Sequence, residues 1–100
     1  MSIPKREPLT AEKLIGTYKC KEYAGNIQST ITLKDNNTYT QTFSRSNYII
    51  HGTWVINDYS LSFEYDHIEN GKKTHRKDNV VVMADGSGLK YSKYLFAPVN

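Results

Sequence analysis

The residues best suited to chemistry are the histidines, and two of the three flank a single turn. His67 and His75 lie on either side of Asn70-Gly71, a dipeptide that favours a type I′ turn and therefore a β-hairpin. Two histidines brought together beside Lys72 would suit phosphodiester cleavage by general acid and general base. A two-residue turn does not bring them together, because its register places Asp66 opposite His75.

That register predicts two cross-strand charge partnerships, Asp66 with His75 and Glu69 with Lys72, on a solvated hairpin. The other candidate nucleophiles, cysteine and serine, are no better suited to catalysis. Cys20 alternates with lysines, so it should point inward as a small core residue. No serine lies in a Gly-x-Ser-x-Gly motif. We therefore expect no catalytic residues and no enzymatic activity.

A metal or cofactor site is not expected either. His51, His67 and His75 fall on three different predicted strands, and neither His-x-x-x-His nor Cys-x-x-Cys occurs. Gly86-Ser87-Gly88 is flanked by strands, so it lacks the helix N-terminus of a phosphate-binding loop. No segment has the signal-peptide pattern or the roughly 20 apolar residues of a membrane helix. With one cysteine, which excludes an internal disulfide, this predicts a cytoplasmic protein that does not span a membrane.

The net charge of +3 is unevenly distributed. Residues 26–70 are more acidic than basic, whereas Lys72, Lys73, Arg76 and Lys77 form a short basic run. Such a run can face an anionic surface, or it can keep a strand edge from pairing with another chain. Both interpretations remain open from the sequence. Nucleic acid is not the expected partner, because the total charge is modest and no RNA-binding strand motif occurs.

A period of two residues dominates the chain after a short helical turn. Thr10 is a suitable N-cap for that turn, with Leu9 and Leu14 as a hydrophobic staple and Gly16 at its end. Apolar and polar residues then alternate, and Asn, Asp and Gly separate the runs. The predicted strands are near 16–23, 27–34, 38–44, 48–56, 59–69, 72–77, 79–84 and 89–96.

Eight short antiparallel strands in a meander predict an all-β domain, either a closed barrel or a two-sheet sandwich. We expect residues 1–8 to be a flexible tail and residues 9–100 to be one lipocalin-like β domain. The predicted inward-facing residues are Tyr18, Cys20, Ile27, Ile31, Leu33, Tyr39, Phe43, Ile50, Trp54, Ile56, Leu61, Phe63, Tyr65, Val80, Val82, Tyr91 and Leu95.

Several short segments resemble the lipocalin-like and fatty-acid-binding-like barrels, and small bacterial lipocalin-like domains in particular. Leu14-Ile15-Gly16-Thr17-Tyr18 is similar to the start of such barrels, with Tyr18 where lipocalins usually have Trp. The run from Leu33 to Tyr39, followed by Gly52-Thr53-Trp54 and Leu61-Ser62-Phe63, is similar to their middle strands. The resemblance covers residues 14–65. It implies a closed barrel and, as one possible function, an internal apolar ligand.

The function that we expect is the binding of a partner protein. One core does not need all of five further aromatic residues, so several of them should lie exposed, and exposed aromatics with Arg are typical of interfaces. These residues are Tyr23, Tyr48, Tyr59, Tyr94 and Phe96. A small domain without a catalytic set is also the class of protein used as an inhibitor or immunity protein that neutralises a toxin or enzyme. The predicted partner-binding residues are Lys72, Lys73, His75, Arg76, Lys77, Tyr48, Tyr59 and Tyr94.

The alternative function is that of a small apolar-ligand carrier of lipocalin type. An eight-stranded barrel is just wide enough to be filled by its own side chains or to hold one small ligand. In that case the ligand-binding residues would be Tyr39, Trp54, Phe63 and Tyr65. For a chain of this length we expect side chains to fill the barrel interior, because large rings dominate the inward-facing residues.

Overall fold

The computed structural model describes residues 8–99 of the 100-residue chain. Within them, eight strands form one closed antiparallel barrel in chain order. The elements are α1 Ala11–Leu14, β1 Gly16–Tyr23, β2 Ile27–Leu33, β3 Thr38–Phe43, β4 Ile49–Asn57, β5 Ser60–Glu69, β6 Lys72–Val82, β7 Leu89–Tyr91 and β8 Tyr94–Pro98. The all-β prediction is confirmed. The predicted tail over residues 1–8 falls almost wholly on residues 1–7, which lie outside the described part.

The alternating pattern produces strands with one buried face. In β2, Ser29, Ile31 and Leu33 are buried, and the residues between them are more exposed. The turn that joins β5 to β6 has the predicted chemistry, since Asn70 and Gly71 take positive φ angles of 52° and 74°. Positive φ at both central residues is the signature of a type I′ turn, whose twist matches that of the strands it connects.

The barrel closes through a short ladder between β1 and β8. Two residue pairs form it, Tyr18 with Pro98 and Lys19 with Ala97. A bulge then follows Cys20 in β1, and bulges bend the strand that carries them. This closure decides between the barrel and the sandwich that the sequence left open.

The predicted boundary between strands 72–77 and 79–84 is wrong. These residues form one strand, β6, which continues through Asp78 without a turn. Asp78 pairs with Phe63 of β5, and its carboxylate accepts a hydrogen bond from the Tyr91 hydroxyl. Aspartate favours turns when its side chain bonds to nearby backbone. Here a distant tyrosine satisfies it instead, and the strand is not interrupted.

The predicted strand 89–96 is also wrong, because it is two strands joined by a turn at 92–93. A two-residue turn exchanges the parity of the inward-facing positions between the strands it joins. Tyr91 faces inward before the turn, so Leu95, predicted to be inward, is 44% exposed after it. Phe96 is buried in its place. All other residues predicted to face inward are buried or half-buried.

In the barrel core, a neighbouring ring and a backbone oxygen come close to the Cα atom of Gly52. A Cβ atom on Gly52 would lie 2.6 Å from Cε1 of Tyr39 and 2.3 Å from the backbone oxygen of Glu64. The missing side chain therefore makes room for the Tyr39 ring, which stacks on Phe63 with centroids 4.2 Å apart. Trp54, the next inward residue of β4, is 1% exposed. This arrangement explains the Gly-Thr-Trp sequence in packing terms.

The helical turn packs against one end of this core. The Tyr18 hydroxyl donates a hydrogen bond of 2.7 Å to the backbone oxygen of Leu14, which is itself buried. Thr10 has the extended backbone of an N-cap, as predicted, but its side chain makes no capping hydrogen bond. The helix ends at Ile15 rather than at Gly16, which is the first residue of β1.

Two buried tyrosines provide a matched test of the core. The Tyr39 hydroxyl is buried without a hydrogen-bond partner among residues 8–99, whereas that of Tyr18 donates to Leu14. Tyr39→Phe should leave the free energy of unfolding unchanged or raise it by up to about 2 kcal/mol, because it removes an unsatisfied polar group and keeps the ring. Tyr18→Phe should lower it by about 1 kcal/mol. Urea denaturation measures both, and equal losses would contradict this account of the core.

Candidate functional site

The hairpin of β5 and β6 extends beyond the barrel wall. β4 pairs with β5 only as far as Tyr65, and β7 pairs with β6 only from Val80 onward. We call residues 66–77 of this hairpin the arm. From Asp66 to Glu69, at about 3.4 Å per residue, β5 continues roughly 14 Å past the end of its pairing with β4. The arm is thus a two-stranded ribbon on the outside of an otherwise closed fold.

The register of the arm is the one that the sequence predicts. Asp66 pairs with His75, and His67 pairs with Thr74, so the two histidines are diagonal rather than opposed. Because side chains alternate along a strand, the ribbon has two faces. The outer face carries Glu64, Asp66, Ile68, Lys73, His75 and Lys77. The inner face, which continues the barrel interior, carries Tyr65, His67, Glu69, Lys72, Thr74 and Arg76.

His75 lies between two carboxylates on the outer face. Its Nδ1 is 3.0 Å from Oδ1 of Asp66, and its Nε2 is 3.6 Å from Oε1 of Glu64. The hydrogen bond with Asp66, and to a smaller degree the nearby Glu64 carboxylate, raises the pKa of His75 above its ordinary value of 6.5. The same bond lowers the pKa of Asp66. Lys73 Nζ lies 3.5 Å from Oδ2 of Asp66 and completes the cluster.

A shallow cleft of about 360 Å³ lies beside this cluster, where the arm leaves the barrel. His51 of β4 lines it together with His75, Glu64 and Asp66. In the part of the chain that the structure describes, no group of three or more His, Cys, Asp or Glu residues is placed to hold a metal ion. Both nitrogens of His75 face carboxylates, which favours the protonated ring. The cleft therefore suits contact with polar groups better than base catalysis.

Three basic side chains of the arm take no part in these contacts. Lys72, Arg76 and Lys77 are exposed and form no ion pair within residues 8–99. The predicted partnership of Glu69 with Lys72 is not formed, since Oε2 of Glu69 lies 3.7 Å from Nε2 of His67 instead. The arm consequently presents, on both of its faces, positive charge that no ion pair within the described residues neutralises.

Aromatic residues surround the mouth of the barrel at the same end as the arm. In an antiparallel meander, the ends of β1, β3 and β5 and the starts of β4, β6 and β8 meet at one end. Tyr94 packs on Tyr23 with ring centroids 4.6 Å apart, and Tyr23 lies 5.9 Å from Phe43. Phe43 lies 6.5 Å from Tyr48, whose exposed fraction is 42%. Lys93 Nζ is 5.5 Å from the centroid of the Tyr94 ring.

The structure brings most of the predicted partner-binding residues to this one end. Five of them lie on the arm, Lys72, Lys73, His75, Arg76 and Lys77, and Tyr48 and Tyr94 border the mouth. Tyr59 is 45% exposed but lies in the turn between β4 and β5, at the opposite end. Sequence reasoning missed the role of Tyr23 and Phe43 as links between the aromatic rings. Phe43 was predicted to face inward and Tyr23 was counted among the aromatic residues that are not all needed by one core, and nothing in the sequence indicates that the two rings are neighbours.

The residues of the alternative, ligand-binding set lie in the barrel interior. Tyr39 and Trp54 are each 1% exposed, and Phe63 is fully buried. Trp54 Nε1 donates a hydrogen bond of 3.2 Å to the backbone oxygen of Lys34. Tyr65 is half-buried, and burial first, then the nearby Asp78 carboxylate, raises its pKa. These are the contacts of a core in which the rings pack on one another.

Comparisons with protein-family models, with curated proteins and with solved structures found no match to this chain. The lipocalin-like resemblance is confirmed only at the level of an eight-stranded antiparallel barrel. In residues 8–99, no helix has the length and apolar character needed to cross a membrane.

The contacts of His75 predict its titration. Its pKa, measured by NMR, should lie above 6.5 and should fall in Asp66→Asn, with a smaller fall in Glu64→Gln, because the bond with Asp66 is the largest cause of the shift. A raised folded-state pKa means that these contacts stabilise the fold below the unfolded pKa. That stabilisation is lost as pH rises through the folded pKa. A pKa at or below 6.5, or one unchanged in Asp66→Asn, would show that the cluster does not form in solution.

Proposed function

We propose that the protein binds an acidic partner protein through the arm and the aromatic residues at the same end of the barrel. The observation that carries this proposal is the arm, a ribbon that pairs with no other strand among residues 8–99 beyond Tyr65 and before Val80. Extending two strands into solvent buries little apolar surface, so the extension adds little to the stability of the barrel. We therefore infer that the extension serves contact with a second molecule.

The chemistry of the arm suits recognition in two ways. Lys72, Arg76 and Lys77 have no ion pair in the described chain, so their charge is available to an acidic surface. Complementary charge of this kind speeds encounter and selects partners. Apolar anchors then supply affinity, and the same end offers Ile68, which is 61% exposed, and Tyr48.

The binding that we propose is non-catalytic, and the partner that we propose is a toxin or enzyme, as for an immunity or inhibitor protein. A ribbon that projects roughly 14 Å has the dimensions to enter a cleft rather than only to rest on a flat surface. Its basic side chains complement a cleft lined by acidic residues. Neutralisation would then follow from covering that cleft.

The competing interpretation is that the lysines only prevent the arm from pairing with other chains, as charged residues often do on exposed strands. The two interpretations differ in what happens when the charge is reversed. A protective lysine is replaced by glutamate without loss of binding, because either charge blocks aggregation. Replacing a lysine that contacts an acidic partner by glutamate does reduce binding.

The test uses the partner recovered on the tagged protein from its source cells and identified by sequencing. Lys72→Glu/Arg76→Glu should slow association with that partner by roughly tenfold or more and weaken its dependence on salt. Lys34→Glu/Lys90→Glu is the matched control, because it makes the same change in net charge at exposed positions away from the arm end of the barrel. Rates that fall equally in both variants, or in neither, would remove the arm from the interface.

A further inference from the structure

The open edge of β6 suggests how the arm holds its partner. Along a strand in an antiparallel sheet, alternate residues direct their backbone N–H and C=O groups to opposite neighbours. The N–H of Met83 donates to the backbone oxygen of Gly88 at 3.0 Å, on the β7 side. By this alternation, Lys73, His75 and Lys77 direct their backbone groups to that same side, where β7 pairs only from Val80 onward.

These backbone groups have no partner strand in the described chain. β6 pairs with β5 without interruption from Lys72 to Val81, but its ladder with β7 is confined to residues 80–82. Backbone N–H and C=O groups along such an edge are a template for another strand. No bulge interrupts the β5–β6 ladder, so the alternation of backbone groups along β6 is regular from Lys72 to Val81.

We propose that this edge accepts an extended acidic segment of the partner as an added β-strand. The inference rests on the proposed function and specifies it, since it names the binding mode and the kind of segment bound. In strand addition, backbone hydrogen bonds supply affinity and the side chains beside the edge supply selectivity. Here the hydrogen bonds come from Lys73, His75 and Lys77.

The side chains beside the edge select for negative charge on both faces of the added strand. Residues of the added strand alternate between the outer and inner faces of the ribbon. On the outer face they lie beside Lys73 and Lys77, and on the inner face beside Lys72 and Arg76. Opposite charges in neighbouring strands stabilise a sheet and like charges destabilise it. An acidic segment is therefore accepted and a basic one is rejected.

The same charges disfavour a second copy of this chain joined edge to edge through β6. Such pairing would set the basic run at 72–77 against its own duplicate, and like charges on facing strands oppose pairing. Self-pairing also makes a distinct prediction. It would depend on protein concentration and would appear without any added peptide.

The experiment uses as the probe a nine-residue synthetic peptide of repeating Glu-Glu-Val-Val, which places Glu on both faces of a strand. Amide hydrogen exchange is followed by NMR on the full chain. Saturating peptide should slow exchange at Lys73, His75 and Lys77 by at least tenfold, and should leave Thr74 and Arg76 unchanged, because those amides already face β5. The same peptide N-methylated at its three central residues keeps every side chain and should not bind. A Lys-Val peptide should not bind either.

A pair of variants tests the same point from the side of the protein. His75→Pro removes an N–H that faces the open edge, and proline is tolerated at such edge positions. His75→Gln also removes the imidazole but keeps the N–H. Peptide affinity should fall at least tenfold further in His75→Pro than in His75→Gln.

The outcomes separate the inference from the proposed function. Equal binding of the N-methylated peptide without slowed exchange would overturn strand addition, yet it would leave an arm that binds acidic groups through side chains. Absence of binding by the Glu-Val peptide would also overturn it, while the charge-reversal test on the true partner decides the proposed function independently. Slowed exchange that appears without peptide and grows with protein concentration would assign the edge to a second copy.

Discussion

The whole structure depends on the need of every strand for hydrogen-bond partners at both edges. A barrel meets this need by closure, and here a ladder of two residue pairs between β1 and β8 is enough to complete the circle. The arm is the exception, because from Asn79 back to Lys72 the strand β6 pairs with β5 and with no other strand among residues 8–99. A basic edge tolerates this exposure, since its charges oppose uncontrolled pairing, and we propose that the same charges select an acidic partner.

The interior explains why function is assigned to the outside of the barrel. Gly52 lets the Tyr39 ring come close to the backbone, and Tyr39 then stacks on Phe63 at 4.2 Å. Trp54 is fixed by its hydrogen bond to Lys34. Rings that pack on one another in this way stabilise the barrel by burying apolar area. We therefore place the proposed binding surface on the outside of the barrel, on the arm and the aromatic residues around the mouth.

Local patterns predicted most of the fold, and tertiary contacts decided the rest. Strict alternation predicted β1 to β5, and Asn70-Gly71 predicted the register of the arm. The continuity of β6 through Asp78 was not predictable, because aspartate favours turns, and the bond that its carboxylate accepts comes from Tyr91 of another strand. The basic run at 72–77 was evident from the sequence as a cluster of positive charges. That the edge of β6 from Lys72 to Asn79 has no neighbouring strand among residues 8–99 follows from where β7 ends, at Tyr91, and the sequence misplaced that end by treating 89–96 as one strand.

The most direct test is a native mass spectrum of the protein gently isolated from its own source cells, with Lys72→Glu/Arg76→Glu isolated in parallel. The account predicts an added polypeptide mass on the wild-type protein that is lost from the variant. An added mass of about a few hundred daltons, the size of a ligand for a pocket of ordinary volume, retained by both proteins would contradict it. That result would identify a small-molecule carrier and make the arm incidental.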